Sequence, residues 1–429
     1  MFILYNILLL VAAVFAVPYF AFRMILTGKY RKSLGPKFGF NPSEIFNAMK
    51  GSPRVWIHAV SVGEVTAAAP VVNSLRARYP EACIVVSTGT ETGQEMARKI
   101  IPEASAFIYY PLDIPSVIRK VIRQVRPDIF VPTETELWPN FIRICREEGV
   151  KIVMVNGRIS PRSFKRYAAT RFFWKPLLRE IDNIGAISEV DAKRLIALGM
   201  PPARVRVLGN AKYDSFAAKA SVKLREEMME RLNMTKDDRV LVAGSTHEGE
   251  EQVILSVYER LLKTCPDMKL IIIPRHSERG QAVLNLVGEK GFKDSLAMTG
   301  IHGGRKRQNE RVVVVDVIGE LFKVYSLATV VFCGGSLVPR GGQNILEPAA
   351  WGKVIFHGPY MDDFRDEKDL LEACGAGITV SNADELLDGI LKCLSDPKDL
   401  ARRGERGRAV VAANAGAAER YAELICLHL

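Results

Sequence analysis

A chain of 429 residues with 48% hydrophobic and 25% charged side chains exceeds what one core normally serves and is too apolar to be mainly disordered. Its formal charge of +11 points to an anionic partner, and the absence of RRM, KH, zinc-finger and helix-turn-helix signatures sets nucleic acid aside. Seven scattered cysteines with no CxxC pair, and six histidines with no HxxxH pair, fit reduced cytoplasmic thiols better than a disulfide framework or a zinc site.

Residues 2–22 contain one strongly polar side chain, Asn6, and one helix breaker, Pro18, and are long enough to cross a hydrocarbon core. Arg23, Lys29, Arg31 and Lys32 follow, which by the positive-inside tendency puts the rest of the chain in the cytoplasm. No basic region precedes the apolar run and no small-residue cleavage site follows it. An uncleaved membrane anchor over 1–24, spanning or deeply embedded, is therefore preferred to a signal peptide. A buried soluble helix is the other reading.

Apolar runs then alternate with helical patterns. The first set is 55–58, 83–87, 106–110, 129–132, 152–155, 184–187 and 205–208; a polar helical stretch near 221–232 separates it from 240–243, 270–273, 312–315, 329–332 and 354–356. Continuous runs of this length predict parallel strands covered on both faces. Two successive β-α-β arrays predict an α/β protein of two Rossmann-like, doubly wound domains, 25–215 and 216–411, facing one another across a cleft. The closing helical segment, 412–429, is a candidate to return to the first domain.

Candidate chemistry sits where strands end. Glu64 follows a buried strand and a glycine turn at the start of a predicted helix, where it suits a general base; local sequence alone favours a carboxylate that only complements the helix dipole. Thr133-Glu-Thr-Glu136 puts two carboxylates beyond another strand, expensive to bury together unless each finds a donor and ordinary if solvated. Lys212 is a cation suited to a developing negative charge, or a surface lysine. In the second half, residues 243–250, Pro274-Arg275-His276, 316–321 and 334–348 are four loops after strands. The last, with its glycines and a predicted helix carrying Asn344 and Glu347, has the character of a nucleotide cradle. Between them, 158–179 holds seven basic residues, no acid and five interleaved aromatic rings. That pattern suits an anionic membrane interface or a phosphorylated lipid head group, and also a solvated basic helix against a core.

In order along nearly the whole chain, HAVSVGE (58–64), TETELWPN (133–140), NGRISPRSFKRY (156–167), GNAKYD (209–214), GSTHEGEE (244–251), PRH (274–276), DVIGEL (316–321) and GGSLVPRGGQNILEPAA (334–350) resemble the 3-deoxy-D-manno-octulosonic acid (Kdo) transferases of Gram-negative bacteria, glycosyltransferase family 30. The resemblance implies a GT-B fold and an inverting, metal-independent enzyme without cofactor. It further implies transfer of Kdo from CMP-Kdo to the lipid A precursor lipid IVA on the cytoplasmic side of the inner membrane. Position by position it makes Glu64 the general base and Glu134 and Lys212 stabilisers of the transition state. CMP contacts fall on Pro274, Arg275, Ile318, Gly319, Glu320, Asn344, Ile345, Leu346 and Glu347. The family commonly has Asp-Thr before the GEL element; Val317 and Ile318 stand here, so backbone contacts carry over and a side-chain hydroxyl contact does not. A nucleotide-sugar enzyme of the same fold, such as a UDP-sugar epimerase, and a non-catalytic lipid-binding membrane protein are the competing readings.

Overall fold

The computed structural model describes residues 2–27, 31–217 and 220–429, with the side chains of 15–32, 215 and 217–219 outside the described set. Two compact units result, Met1–Ser215 joined by Asn414–Leu429, and Phe216–Ala413.

The first unit is built on seven parallel strands: β1 (Arg54–His58), β2 (Cys83–Thr88), β3 (Ala106–Tyr109), β4 (Ile129–Pro132), β5 (Lys151–Gly157), β6 (Asn183–Ala186) and β7 (Val205–Val207). Their order is β3-β2-β1-β4-β5-β6-β7, so the winding reverses between β1 and β4. Successive side chains of a strand face opposite sides. Trp56 accordingly goes to one core with Phe130 and Phe141, while Val55 and Ile57 go to the other with Val72, Leu75 and Tyr421. Trp56 meets Phe130 and Phe141 edge-on at 5.7 and 5.2 Å, and its buried indole N–H donates to Ser87 Oγ at 2.8 Å.

The second unit repeats the plan with β8 (Val240–Thr246), β9 (Lys269–Pro274), β10 (Ser295–Ala297), β11 (Val312–Val314), β12 (Val330–Cys333), β13 (Val354–His357) and β14 (Gly377–Thr379). The order is β10-β11-β9-β8-β12-β13-β14, all parallel, with the reversal between β8 and β12. The twelve strands expected from apolar runs are present. The two that were not expected, β10 and β14, are three-residue edge strands, Ser-Leu-Ala and Gly-Ile-Thr, too short and mixed to stand out.

The N-terminal helix, Phe2–Thr27, has its first turns docked on the first unit. Tyr5 Oη donates to Asp113 Oδ2 at 2.8 Å, and Asn140 Nδ2 donates to Asn6 Oδ1 at 2.6 Å. Asp113 also caps the Pro139–Glu147 helix, accepting from the backbone of Asn140 and Phe141. Ile3, Ile7, Leu10, Val11 and Val14 remain exposed. Among the described residues no helix is long and apolar enough to cross a membrane. The side chains of the expected span beyond Val14, and those of Arg23, Lys29, Arg31 and Lys32, lie outside the described residues.

The segment expected as one closing helix is broken at 414–416. Pro397–Ala413 ends, Gly416 takes a positive φ, and Ala417–Cys426 begins on the first unit. Asp214 receives the backbone N–H groups of Gly416 and Ala418, and Tyr421 Oη donates to Gly209 O at 2.6 Å.

Candidate active site

Open α/β sheets bind ligands outside the carboxyl ends of their strands where the winding reverses. In the first unit that place is occupied by the loops after β1 and β4. Glu64 is the third residue of the Val62–Arg78 helix, preceded by Ser61 at the cap. Its carboxylate turns back, accepting from Val60 N at 2.7 Å and from Ser61 Oγ at 3.0 Å. The Ser-x-x-Glu spacing is that of a capping box, yet the serine donates to the glutamate instead of capping the helix amide. Burial to 9% exposure pushes the Glu64 pKa up to about 7. The Val60 and Ser61 donors oppose the shift, and the charges of Glu136 and Glu134 reinforce it.

Glu134 holds a left-handed backbone, φ 61°, a conformation a side-chain-bearing residue adopts at a cost of about 1–3 kcal/mol. Its amide is tied to Val155 O at 2.9 Å, while its Oε1 accepts from Lys212 Nζ, also at 2.9 Å. Lys212 opens the Lys212–Ala217 helix beyond β7. Its position is set by Asn156, another left-handed residue, whose Oδ1 accepts from Ala211 N at 3.0 Å, and by Asn210 Oδ1, which accepts from Lys212 N. Glu136 is half-buried and raised by that burial, with the Trp138 indole N–H donating to it at 2.8 Å in opposition. Three carboxylates and one ammonium thus share the reversal point of the first sheet.

In the second unit the loops after β8 and β12 flank the reversal. Glu250 is fully buried and receives four backbone donors: His247 N and Gly335 N at 2.9 and 2.7 Å, Ser336 N and Leu337 N at 3.0 Å. One carboxylate therefore welds the glycine loop after β12 to the loop after β8. Gly334 is required by this closeness, because a Cβ there would lie 2.5 Å from Ser245 O. Pro274 ends β9, and Arg275 N donates to Thr246 O at 2.9 Å. After β11, Ile318 is 81% exposed and Gly319 has φ 92°. The Glu320 side chain is engaged by Arg231 and Lys323.

Asn344 is not on the helix that was expected to carry it. The helix is Leu346–Ala350, and Asn344 lies in the loop before it, its Oδ1 accepting from Leu346 N at 3.1 Å and its Nδ2 donating to Glu347 Oε1 at 3.4 Å. An asparagine competes with the helix for backbone donors and so marks its start. The structure therefore gathers the expected residues in two groups: Glu64, Glu134 and Lys212 in the first unit, and Pro274–Arg275, Ile318–Glu320 and Asn344–Glu347 at the ends of β9, β11 and β12 in the second. Of the aromatic residues in 158–179, Phe164, Tyr167 and Trp174 are packed against the core and Phe172 is exposed.

A family model described as 3-deoxy-D-manno-octulosonic-acid transferase (kdotransferase) matches residues 32–215. The 3-deoxy-D-manno-octulosonic acid transferase of Haemophilus influenzae is 31% identical over 427 residues, covering 98% of this chain and 97% of the relative. The chain belongs to this transferase family. Two solved structures share its architecture. A glycosyltransferase from Rickettsia africae has a TM-score of 0.57 at 14% identity, over 87% of this chain and 97% of its own. A UDP-GlcNAc 2-epimerase from Neisseria meningitidis has a TM-score of 0.59 at 13% identity, over 88% and 99%. At such identities these establish a fold of the GT-B kind and nothing about the donor.

Within this Kdo transferase, three residues of the quoted motifs have roles that the motif reading does not assign. Ser61 donates to Glu64, Asn156 holds the loop that carries Lys212, and Glu250 fastens the loops of the second unit. Ser61 had a signal, the capping-box spacing. The other two stand in quoted motif segments, 156–167 and 244–251, but the amides they tie together, Ala211 and Gly335–Leu337, are distant in sequence.

Proposed function

We propose that this transferase moves Kdo from CMP-Kdo to a hydroxyl of lipid IVA at the inner membrane, with inversion, with Glu64 as general base and without a metal ion. The observation that carries the reading is a buried carboxyl at a sheet's reversal point whose pKa of about 7 lets it accept a proton near neutrality.

The acceptor's 6′-hydroxyl gives its proton to Glu64 as its oxygen bonds to the anomeric carbon of Kdo. The bond from that carbon to the phosphate oxygen breaks, and CMP departs with the electron pair. Positive charge builds on the sugar in between, as in other glycosyl transfers. The negative charge of Glu134, oriented by its bond to Lys212, favours that state, and Lys212 supports the negative charge of the departing side. CMP is held by Pro274 and Arg275, by the backbone of Ile318, Gly319 and Glu320, and by Asn344, Ile345, Leu346 and Glu347. Arg275 and loop amides take up the phosphate charge, the work a divalent ion does elsewhere. The single N-terminal helix attaches the enzyme to the membrane with its catalytic units on the cytoplasmic side, and the basic residues of 158–179 meet the acceptor's phosphates.

Incubation with CMP-Kdo and lipid IVA in chelator-containing buffer tests the reading. The parent is expected to form Kdo-lipid at an undiminished rate. Glu64→Ala is expected to lower the rate by about 10²–10⁴-fold while leaving CMP affinity, read by calorimetry, unchanged. Turnover of a UDP-sugar but not CMP-Kdo, or a Glu64→Ala enzyme within about tenfold of the parent, contradicts it.

A further inference from the structure

The acidic loop after β4 also forms a wall of a cavity of about 950 Å³ that the chemistry above does not use. Leu4 and Leu8 of the N-terminal helix form a second wall, and Phe172, Phe173 and Trp174 a third. Its size is at the upper end for pockets that bury a small ligand. The lining is selective in what it leaves unoffered. The Trp138 indole N–H is spent on Glu136 at 2.8 Å, the Trp174 indole N–H on Thr170 Oγ1 at 2.9 Å, and the Tyr5 hydroxyl on Asp113. Of the four lining rings that carry a polar handle, all but Tyr167 have it engaged within the protein, and the cavity is offered mainly carbon. A ligand matched to such a lining is a hydrocarbon chain.

Two further features say which chain. Leu4 and Leu8 line the cavity while staying exposed, on the helix that also exposes Ile3, Ile7, Leu10 and Val11, so the mouth is continuous with an apolar surface. Glu136, which also lines the cavity, is close enough to Glu64 for their charges to interact. A molecule with its tail in the cavity has its polar end beside the base. Phosphate-seeking cations of 158–179 are on the same helices as the aromatic wall.

We propose that this cavity holds an acyl chain of the lipid acceptor, gripped between the N-terminal helix, the loop after β4 and the Phe172–Trp174 face of the Arg171–Leu178 helix. The helix is then part of the acceptor site as well as an attachment to the bilayer. This rests on the reading of the acceptor as a lipid given above.

The test compares tetraacylated lipid IVA with its fully deacylated bisphosphate disaccharide in detergent solution, using Leu8→Glu and Ile7→Glu. Leu8→Glu puts a charge into the cavity; Ile7→Glu puts the same charge on the exposed helix face outside it. For the acylated acceptor, Leu8→Glu is expected to raise KM roughly tenfold or more beyond Ile7→Glu. With the deacylated acceptor, all three proteins are expected to share one high KM and one kcat, which also shows the variants are folded. Equal effects of the two variants on the acylated acceptor overturn the proposal, because the helix face then serves attachment alone. So does a parent enzyme indifferent to acylation. A parent that transfers Kdo to neither acceptor sinks the donor and acceptor reading instead.

Discussion

Glu64 illustrates how a single environment decides a residue's chemistry. Buried beside two other carboxylates, its ionised form is disfavoured, and the pKa rises from 4.5 to about 7. Below that value the carboxyl is protonated and cannot accept the acceptor's proton. The kcat/KM for transfer is therefore expected to climb about tenfold per pH unit up to pH about 7 and then level off. Lys212→Ala removes the cation that neutralises Glu134, so Glu64 then faces two uncompensated carboxylates and the midpoint of that limb is expected to move upward. A midpoint unmoved in the same pH series contradicts the coupling. The linkage sign follows: a carboxyl raised in the fold favours folding below its unfolded pKa, and that contribution is lost as pH rises toward 7. Glu64→Gln has no such loss. Its stability relative to the parent, read by melting, is expected to increase between pH 4.5 and 7 and hold above, the full difference being on the order of 3 kcal/mol. Parallel melting curves of the two proteins across that range exclude burial as the cause.

Among the elements, the interior strands were readable because parallel strands covered on both faces must be apolar throughout, and the edge strands β3 and β7 still carry apolar residues enough to be read, whereas the edge strands β10 and β14 carry no such run. The loops show the converse. The glycines of 334–342 announce a close backbone approach, but nothing near Glu250 in sequence distinguishes it from an ordinary acid at a helix start. Its amide partners at Gly335 and Ser336 are 85 and 86 residues away. The Glu134–Lys212 pair spans 78 residues and was assigned only through motifs. Local sequence reports what a residue can do, while burial and distant partners determine what it does. Glu250→Gln keeps the shape yet turns one accepting oxygen into an NH₂ group facing N–H donors. A buried amide left without its acceptor costs about 1–3 kcal/mol. CMP affinity is expected to fall by roughly tenfold or more as the loop loosens, with the acid limb of the pH profile unmoved. Calorimetry with CMP reads the first and the transfer assay the second; unchanged affinity removes Glu250 from the positioning of the donor loops.

At the scale of the whole molecule, the chain completes its second sheet and then sends its last sixteen residues, Asn414–Leu429, back to the first unit. The Ala417–Cys426 helix buries Tyr421, Leu424 and Ile425 against the core that contains Val55, Ile57 and Val72. Each such side chain contributes about 1.5–3 kcal/mol, so the helix as a whole is comparable with the 5–15 kcal/mol that holds a typical domain together. Removing 414–429 is expected to abolish cooperative melting of the first unit, seen as its preferential proteolysis. Tyr421→Phe is the milder and more informative change. It keeps the ring that fills the space beside Gly185 and deletes only the hydroxyl bonded to Gly209 O. The loss of one such bond costs about 1 kcal/mol. Gly209 begins the short loop that ends at Lys212, and the same helix is capped by Asp214 two residues beyond it. Tyr421→Phe is therefore expected to lower kcat severalfold with acceptor and donor KM unchanged, since slack in that loop reaches the lysine and not the binding groups. A variant that melts lower but keeps the parent's kcat shows that the returning helix stabilises the first unit without placing Lys212.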